Sequence, residues 1–376
     1  EIMPSLVGSE MCIRDRKNKV MCVLFACFLG LSFFLCILFP KEDYSYSERR
    51  KLAKMPELSL DSVLNGRFMT GFDSYAQDQF PFRESFRKLK AFSATEGFKR
   101  KDNHGIYETE GYACAMEYPV DEKSLDRASQ RFRYIYDKYL SEENKVYLCV
   151  IPDKNCFLAP KSGHLSMDYP AFEKAMAEKM DFAQNISITH LLEQEDYYKT
   201  DTHWRQERIT DVAAYLAECM GTSLKQDYQQ KTAASDFLGV YAGQSALSLS
   251  PEPLYYLTND AIEQAVVCNY ETGKTQSVYD LSRAEGKDPY EIFLSGSVSL
   301  LTVENPMASS SKELVLFRDS FGSSIAPLLL EGYSKITLVD IRYIHPDYLE
   351  QYMDFTDCDV LFLYSTLVLN NSDTLK

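Results

Sequence analysis

The stretch Leu314-Val315-Leu316-Phe317-Arg318-Asp319-Ser320-Phe321-Gly322 joins an unbroken apolar run to a short polar turn. Successive side chains on a strand point to opposite faces, so an all-apolar run calls for cover on both sides, as in a parallel sheet packed between helices. The same pattern recurs in Val146-Tyr147-Leu148-Cys149-Val150-Ile151, Ile336-Thr337-Leu338-Val339 and Val360-Leu361-Phe362-Leu363-Tyr364. Between the runs, Leu125, Ala128, Phe132, Ile135, Tyr136 and Tyr139 follow helical spacing within 124–142, and a second helix fits 171–183. Strands alternating with helices predict a three-layer α/β domain with a mostly parallel sheet. After the turn, 323–331 reads as a helix, and Pro327 is tolerable there only in the first turn.

A serine on a strand-to-helix turn is lifted clear of the sheet, beside backbone N–H groups that can hold an oxyanion. That is the placement of a nucleophile, although an Asp-Ser turn alone equally suits an Asx-turn in which Asp319 binds free N–H groups of the helix. Its counterpart lies 117 positions upstream, in Tyr197-Tyr198-Lys199-Thr200-Asp201-Thr202-His203-Trp204, which holds the single tryptophan of the chain. Ile209, Val212, Ala213, Leu216 and Met220 then keep helical spacing, with Gly221 as a C-cap. The spacing predicts His203 at the first turn of that helix, with Asp201 or Thr202 as N-cap. There the helix dipole favours a neutral imidazole, and Asp201 can hold one ring N–H in a fixed tautomer. On its own, Asp-x-His is a capping carboxylate beside a half-buried histidine. Joined to Ser320 it becomes a Ser-His-Asp hydrolase or acyltransferase site.

Composition narrows the field. The 55 acidic and 40 basic residues leave a formal charge of −15, which repels polyanions, so nucleic acid is excluded as a partner. The five histidines are scattered, and the cysteines show neither a C-x-x-C pair nor a regular spacing, so no metal and no cofactor is expected and disulfides are left unassigned. The 26 Tyr and 22 Phe are core material before they are sugar-stacking surfaces.

Met11-Cys12-Ile13-Arg14-Asp15-Arg16, with the residues before it, resembles the translation of a sequencing adapter, and 1–16 is read as non-native sequence. Residues 20–39 carry no charge and are long enough to cross a bilayer. Lys17 and Lys19 precede them and no small-residue cleavage site follows, so they read as a membrane anchor with a cytoplasmic N-terminus and everything after it outside. A long signal peptide is the alternative. Residues 40–105 form a stalk and a helical region, with Phe68, Phe72 and Tyr75 on a helix stopped at Pro81 and Phe86, Leu89 and Phe92 on the next. Asp73, Asp78, Arg83 and Glu84 read as caps or surface pairs there. The domain proper is 106–376, interrupted by a loop-rich insertion around 226–302.

Asp201-Thr202-His203-Trp204, Arg318-Asp319-Ser320-Phe321-Gly322 and Asp78-Gln79-Phe80-Pro81-Phe82-Arg83 together resemble the bacterial DHHW family, itself similar to the SGNH-hydrolase-like domain of AlgX- and AlgJ-type polysaccharide O-acetylation proteins. The resemblance implies that Ser320 is a nucleophile, His203 its base and Asp201 the orienter of the base. It further implies a polysaccharide or other glycan as acceptor and a membrane acyltransferase as the source of acetyl groups. Thr202 replaces the histidine of the family's name motif, and Arg318 stands where the SGNH block has glycine. The loop Phe293-Leu294-Ser295-Gly296-Ser297 lacks the Gly-Asn ending of the family, which leaves Gly296 and the Ser320 N–H as oxyanion donors. Tyr197, Tyr198, Trp204 and Arg318 are the side chains that would line a glycan cleft, with a packing role for Trp204 as the alternative. A silent glycan-binding domain and an envelope scaffold are the other readings of the same chain.

Overall fold

The apolar runs are strands of one eight-stranded sheet, built from β1 (Val146–Ile151), β2 (Gln184–Asn185), β3 (Val266–Asn269), β4 (Lys274–Gln276), β5 (Leu300–Glu304), β6 (Glu313–Arg318), β7 (Lys335–Val339) and β8 (Cys358–Ser365). The structure, a computed structural model, describes residues 4–376 and the side chains of residues 16–376. The sheet order is β4-β3-β5-β7-β6-β8-β1-β2. The run β7-β6-β8-β1-β2 is parallel, and β5, β3 and β4 join in turn as antiparallel strands. The strand before Ser320 therefore lies in the sheet interior, with Phe317 opposite both Val339 and Phe362.

Alternation along each strand fills both faces. Leu314, Leu316, Leu361, Leu363, Cys149 and Ile151 pack with the helices Thr210–Cys219 and Gly322–Leu329. Val315, Phe317, Phe362, Leu148 and Val150 pack with Glu122–Tyr139 and Tyr169–Lys179. At about 1.5–3 kcal/mol for each large apolar side chain taken out of water, these two layers account for the predicted architecture. Both helices on the second face start two residues before the apolar spacing suggests, because the side chains of Asp121 and Asp168 cap them. Gly221, at φ +71°, ends the helix Thr210–Cys219 as expected. Pro327 departs from expectation: it lies inside Gly322–Leu329, past the first turn, and so removes one rung from a short helix.

The stretch 226–302 is more ordered than its mixed composition suggests. It supplies β3 and β4 to the sheet edge and a separate hairpin, Gln229–Phe237 with Glu252–Thr258. Aligned carboxyl ends matter most for the site: Arg318 of β6 pairs with Leu363 of β8, and Ser365 of β8 with Ile151 of β1. The turns after these three strands open on one edge, where ligand loops of open α/β sheets gather.

The chain divides into two units, Glu1–Lys90 and Ala91–Lys376. In the first, the helix Pro4–Leu38 contains Arg16–Leu38, which is long and apolar enough to cross a membrane. Residues 1–3, and the side chains up to residue 15, lie outside the described residues, and with them most of the stretch read as non-native. Asp78 receives Arg50 through both guanidinium nitrogens, at 2.8 and 2.6 Å, which holds its carboxyl below the usual range. Arg83 pairs with Glu48 at 2.5 Å and lies 3.7 Å from Asp78. The charged residues of that motif thus serve as local pairs. Among the described residues every cysteine is a free thiol.

Candidate active site

Asp319 fixes the turn after β6. Its Oδ1 accepts the Phe321 N–H at 3.0 Å, while Oδ2 accepts the Ser365 N–H at 2.7 Å and the Ser365 hydroxyl at 2.6 Å. The Asx-turn is therefore real, and it ties the start of the next helix to the end of β8. Gly322 is needed for closeness: a Cβ there would fall 2.6 Å from Cβ of Arg318. The Gly322 N–H goes to Asp319 O and the Ser323 N–H to Ser320 O. Among the described residues, the Ser320 N–H donates to no protein acceptor and stays available beside the hydroxyl.

His203 does not start a helix. A 3-10 turn, Gln206–Arg208, intervenes, and the helix begins only at Thr210. Instead, Tyr197 pairs with Trp204 and the Tyr198 N–H donates to His203 O at 3.0 Å, which closes a tight turn over 199–202. Asp201 does not cap the helix Thr210–Cys219; its Oδ1 accepts the His203 N–H at 3.1 Å within the turn. The helix-dipole argument accordingly does not apply. Long-range contacts hold the turn: Glu252 accepts the Thr200 N–H at 3.0 Å, and the Val240 N–H donates to Asp201 Oδ2 at 2.8 Å.

These two turns meet at the carboxyl edge of the sheet. His203 Nδ1 lies 2.6 Å from Asp201 Oδ1, and His203 Nε2 lies 2.7 Å from Ser320 Oγ. Asp201 is fully buried and His203 is 6% exposed. An ionised carboxylate only accepts, so Nδ1 carries the proton, and Nε2 faces Ser320 as an acceptor. Tyr290 stacks on the imidazole, with ring centroids 3.8 Å apart and planes 6° from parallel.

Ser324, one turn into the helix after the nucleophile, organises the aromatic side. Its hydroxyl accepts from Tyr290 Oη and from Trp204 Nε1, both at 2.8 Å, and donates to Phe321 O at 3.2 Å. Ser324→Ala should leave the buried Tyr290 hydroxyl without a partner and cost about 1–3 kcal/mol. A urea unfolding curve checks this, and a change below about 0.5 kcal/mol would mean the hydroxyl is satisfied otherwise.

Other site expectations are corrected. Tyr197, Tyr198, Trp204 and Arg318 are all completely buried, so none lines a cleft. Trp204 is the packing anchor of the histidine turn, and Tyr198 belongs to a small core with Phe237 and Phe293. Arg318 runs beneath the nucleophile turn. Its guanidinium reaches Gly296 O and Val298 O at 3.3 Å each and Asp340 at 3.6 Å, with burial lowering its pKa. Gly296 is no oxyanion donor, because its N–H is bonded to Phe293 O at 3.1 Å. Of the two donors considered, the Ser320 N–H is left. Sequence reasoning missed Tyr290, Val240 and Lys154. Lys154 alone had a signal, its place in the turn after β1.

No family sequence model and no curated protein sequence matches the chain. Solved structures do match. A DHHW family protein from Eubacterium siraeum has a TM-score of 0.58 at 18% identity, covering 72% of this chain and 93% of its own. The chain has the fold of a DHHW family protein. Bacillus cereus PatB1, solved with a sulfonyl adduct, follows at TM-score 0.56 and 16% identity, over 72% of this chain and 95% of its own. The O-acetyltransferase domain of Pseudomonas putida AlgJ gives 0.43 at 13% identity, over 71% and 92%. The three-layer α/β architecture that the DHHW resemblance implies is the one observed.

Proposed function

We propose that this protein is a serine O-acetyltransferase or acetylesterase acting on a cell-envelope or exported polysaccharide, with Ser320, His203 and Asp201 as its catalytic triad. The observation that carries the reading is the continuous hydrogen-bond chain from buried Asp201 through His203 to Ser320, at 2.6 and 2.7 Å. His203 Nε2 takes the Ser320 proton as Oγ attacks the acetyl carbonyl. The Ser320 N–H stabilises the oxyanion, and the leaving alcohol departs with the proton from His203. A sugar hydroxyl or water, deprotonated in turn by His203, then resolves the acetyl-enzyme and restores Ser320. Sugar makes the enzyme a transferase; water makes it an esterase.

The DHHW resemblance supports the glycan and the acetyl group. The sulfonyl adduct of PatB1 is chemistry expected where a nucleophile is activated on this fold. In the same reading Arg16–Leu38 anchors the domain outside the cell membrane, within reach of a membrane acyltransferase that supplies acetyl groups. The test is chemical trapping. Full-length protein in detergent, incubated with p-nitrophenyl acetate and quenched in acid, should carry one acetyl group on the peptide containing Ser320. Release of p-nitrophenol with no acetyl on that peptide, or equal turnover in Ser320→Ala, refutes the assignment.

A further inference from the structure

We infer that Lys154 is a positioning residue for the Asp201–His203 pair: a buried ammonium around which the turn carrying both side chains is folded. The inference rests on His203 acting as the base of Ser320.

Lys154 follows β1 at the carboxyl edge of the sheet and is 1% exposed. Its Nζ donates to Tyr198 O and Asp201 O, both at 2.7 Å, and to Lys199 O at 3.3 Å. An ammonium has three N–H donors and a neutral amine two, so only the charged form satisfies all three carbonyls of the turn. Among the described residues, no carboxylate lies within ion-pair distance of Nζ. The charge is balanced by those carbonyl dipoles and, from further away, by Asp153, Asp201 and Glu252. The Tyr241 and Tyr112 rings lie over it at 5.1 and 6.0 Å. Asp201 O is the carbonyl of the residue whose carboxylate holds His203, and the turn around it closes through His203 O. The ammonium therefore fixes the backbone from which both side chains of the dyad project.

The geometry has a pH signature. Burial lowers Lys154 to about 8. Among the groups facing it, burial pushes Cys114 up to about 12, raises Tyr112 and takes Tyr241 well above its ordinary value. Burial also raises Asp153 and Glu252, opposed by the hydrogen bonds that their carboxylates accept from Tyr169, Thr366 and Thr200. As pH rises through about 8, Lys154 loses one donor, and a buried carbonyl of the turn is left facing a lone pair. The turn then relaxes and His203 leaves its alignment with Ser320, so the rate falls on the alkaline side.

The test measures inactivation by phenylmethanesulfonyl fluoride against pH, with kcat and KM for p-nitrophenyl acetate, on full-length protein. Wild type should lose rate above about pH 8. Lys154→Met should lower the maximal inactivation rate and kcat about 10- to 100-fold, leave KM unchanged and abolish the alkaline fall. An alkaline fall retained in Lys154→Met, or an unchanged rate, overturns the inference. Should that variant not fold, the side-chain carbons of 13C-labelled lysine in wild type give the answer. One lysine titrating near 8 is expected, and none below about 10 overturns the inference. Labelling that persists in Ser320→Ala would instead refute the nucleophile, so the two failures are distinguishable.

Discussion

Asp201→Asn should lower kcat/KM for acetyl release roughly a thousand- to ten-thousand-fold while leaving the fold intact, an effect of the size seen when a triad carboxylate becomes an amide. The reason lies in the donors around this side chain. Oδ1 accepts from His203 Nδ1 and from the His203 backbone N–H, and Oδ2 accepts from the Val240 N–H. Every contact with these neighbours requires an acceptor, and asparagine offers only one oxygen. If the amide nitrogen takes the Oδ1 position, it donates to Nδ1, the imidazole proton moves to Nε2, and Nε2 can no longer accept from Ser320. If it takes the Oδ2 position, it opposes the buried Val240 N–H and strains the turn. Two measurements decide: kcat/KM with p-nitrophenyl acetate, and the thermal midpoint by circular dichroism. A loss below about tenfold would show that Asp201 does not set the tautomer of His203, and the assigned base would lose its orienter.

What could be read in the sequence follows from the range of the interactions. The interior strands were legible because burial on both faces leaves an unbroken apolar run, as in Val146–Ile151 and in residues 360–364 of β8. Gln184–Asn185 was invisible: two exposed polar residues make a strand only because β1 offers them an edge. Apolar spacing correctly found the helix after His203, yet that spacing begins at Ile209, and extending it back to Asp201 replaced a turn with a helix end. The turn is set by Glu252, Val240 and Lys154, which lie 39 to 52 positions away and leave no local pattern. The burial of Tyr198, Trp204 and Arg318 was hidden for a related reason. Aromatic and cationic side chains beside a motif suit substrate contact in sequence, and only the fold shows that Arg318 answers Asp340 and that Trp204 answers Ser324. Ser320 was legible as a candidate from its strand-to-helix turn and His203 from the carboxylate two residues before it; only the DHHW resemblance joined the two.

Gly239→Ala should reduce acetyl release at least about a hundredfold and destabilise the protein by about 1–3 kcal/mol, although residue 239 bears no reactive group. Its φ of −79° suits any residue, so the need for glycine is one of space rather than conformation. A Cβ at this position would lie 2.2 Å from Cβ, 2.4 Å from Cα and 2.5 Å from N of Asp201. Ordinary carbon contacts are about 3.5–4.0 Å, so either the Asp201 backbone or the segment entering the helix Val240–Ser245 must move by about 1 Å. Movement in either direction breaks the Val240 N–H bond to Asp201 Oδ2 and the Gly239 N–H bond to Thr200 Oγ1, at 2.8 and 2.9 Å. The displacement then passes through the 2.6 Å contact of Asp201 to His203. Because two of the three closest atoms are backbone, removing the Asp201 side chain should not relieve the clash. The double variant Asp201→Gly, Gly239→Ala should therefore stay destabilised relative to Asp201→Gly by most of the single-variant cost. Urea unfolding of the four proteins of that cycle measures it. Full recovery of stability in the double variant would place the clash on the carboxylate side chain alone, and the turn backbone would then tolerate the methyl group.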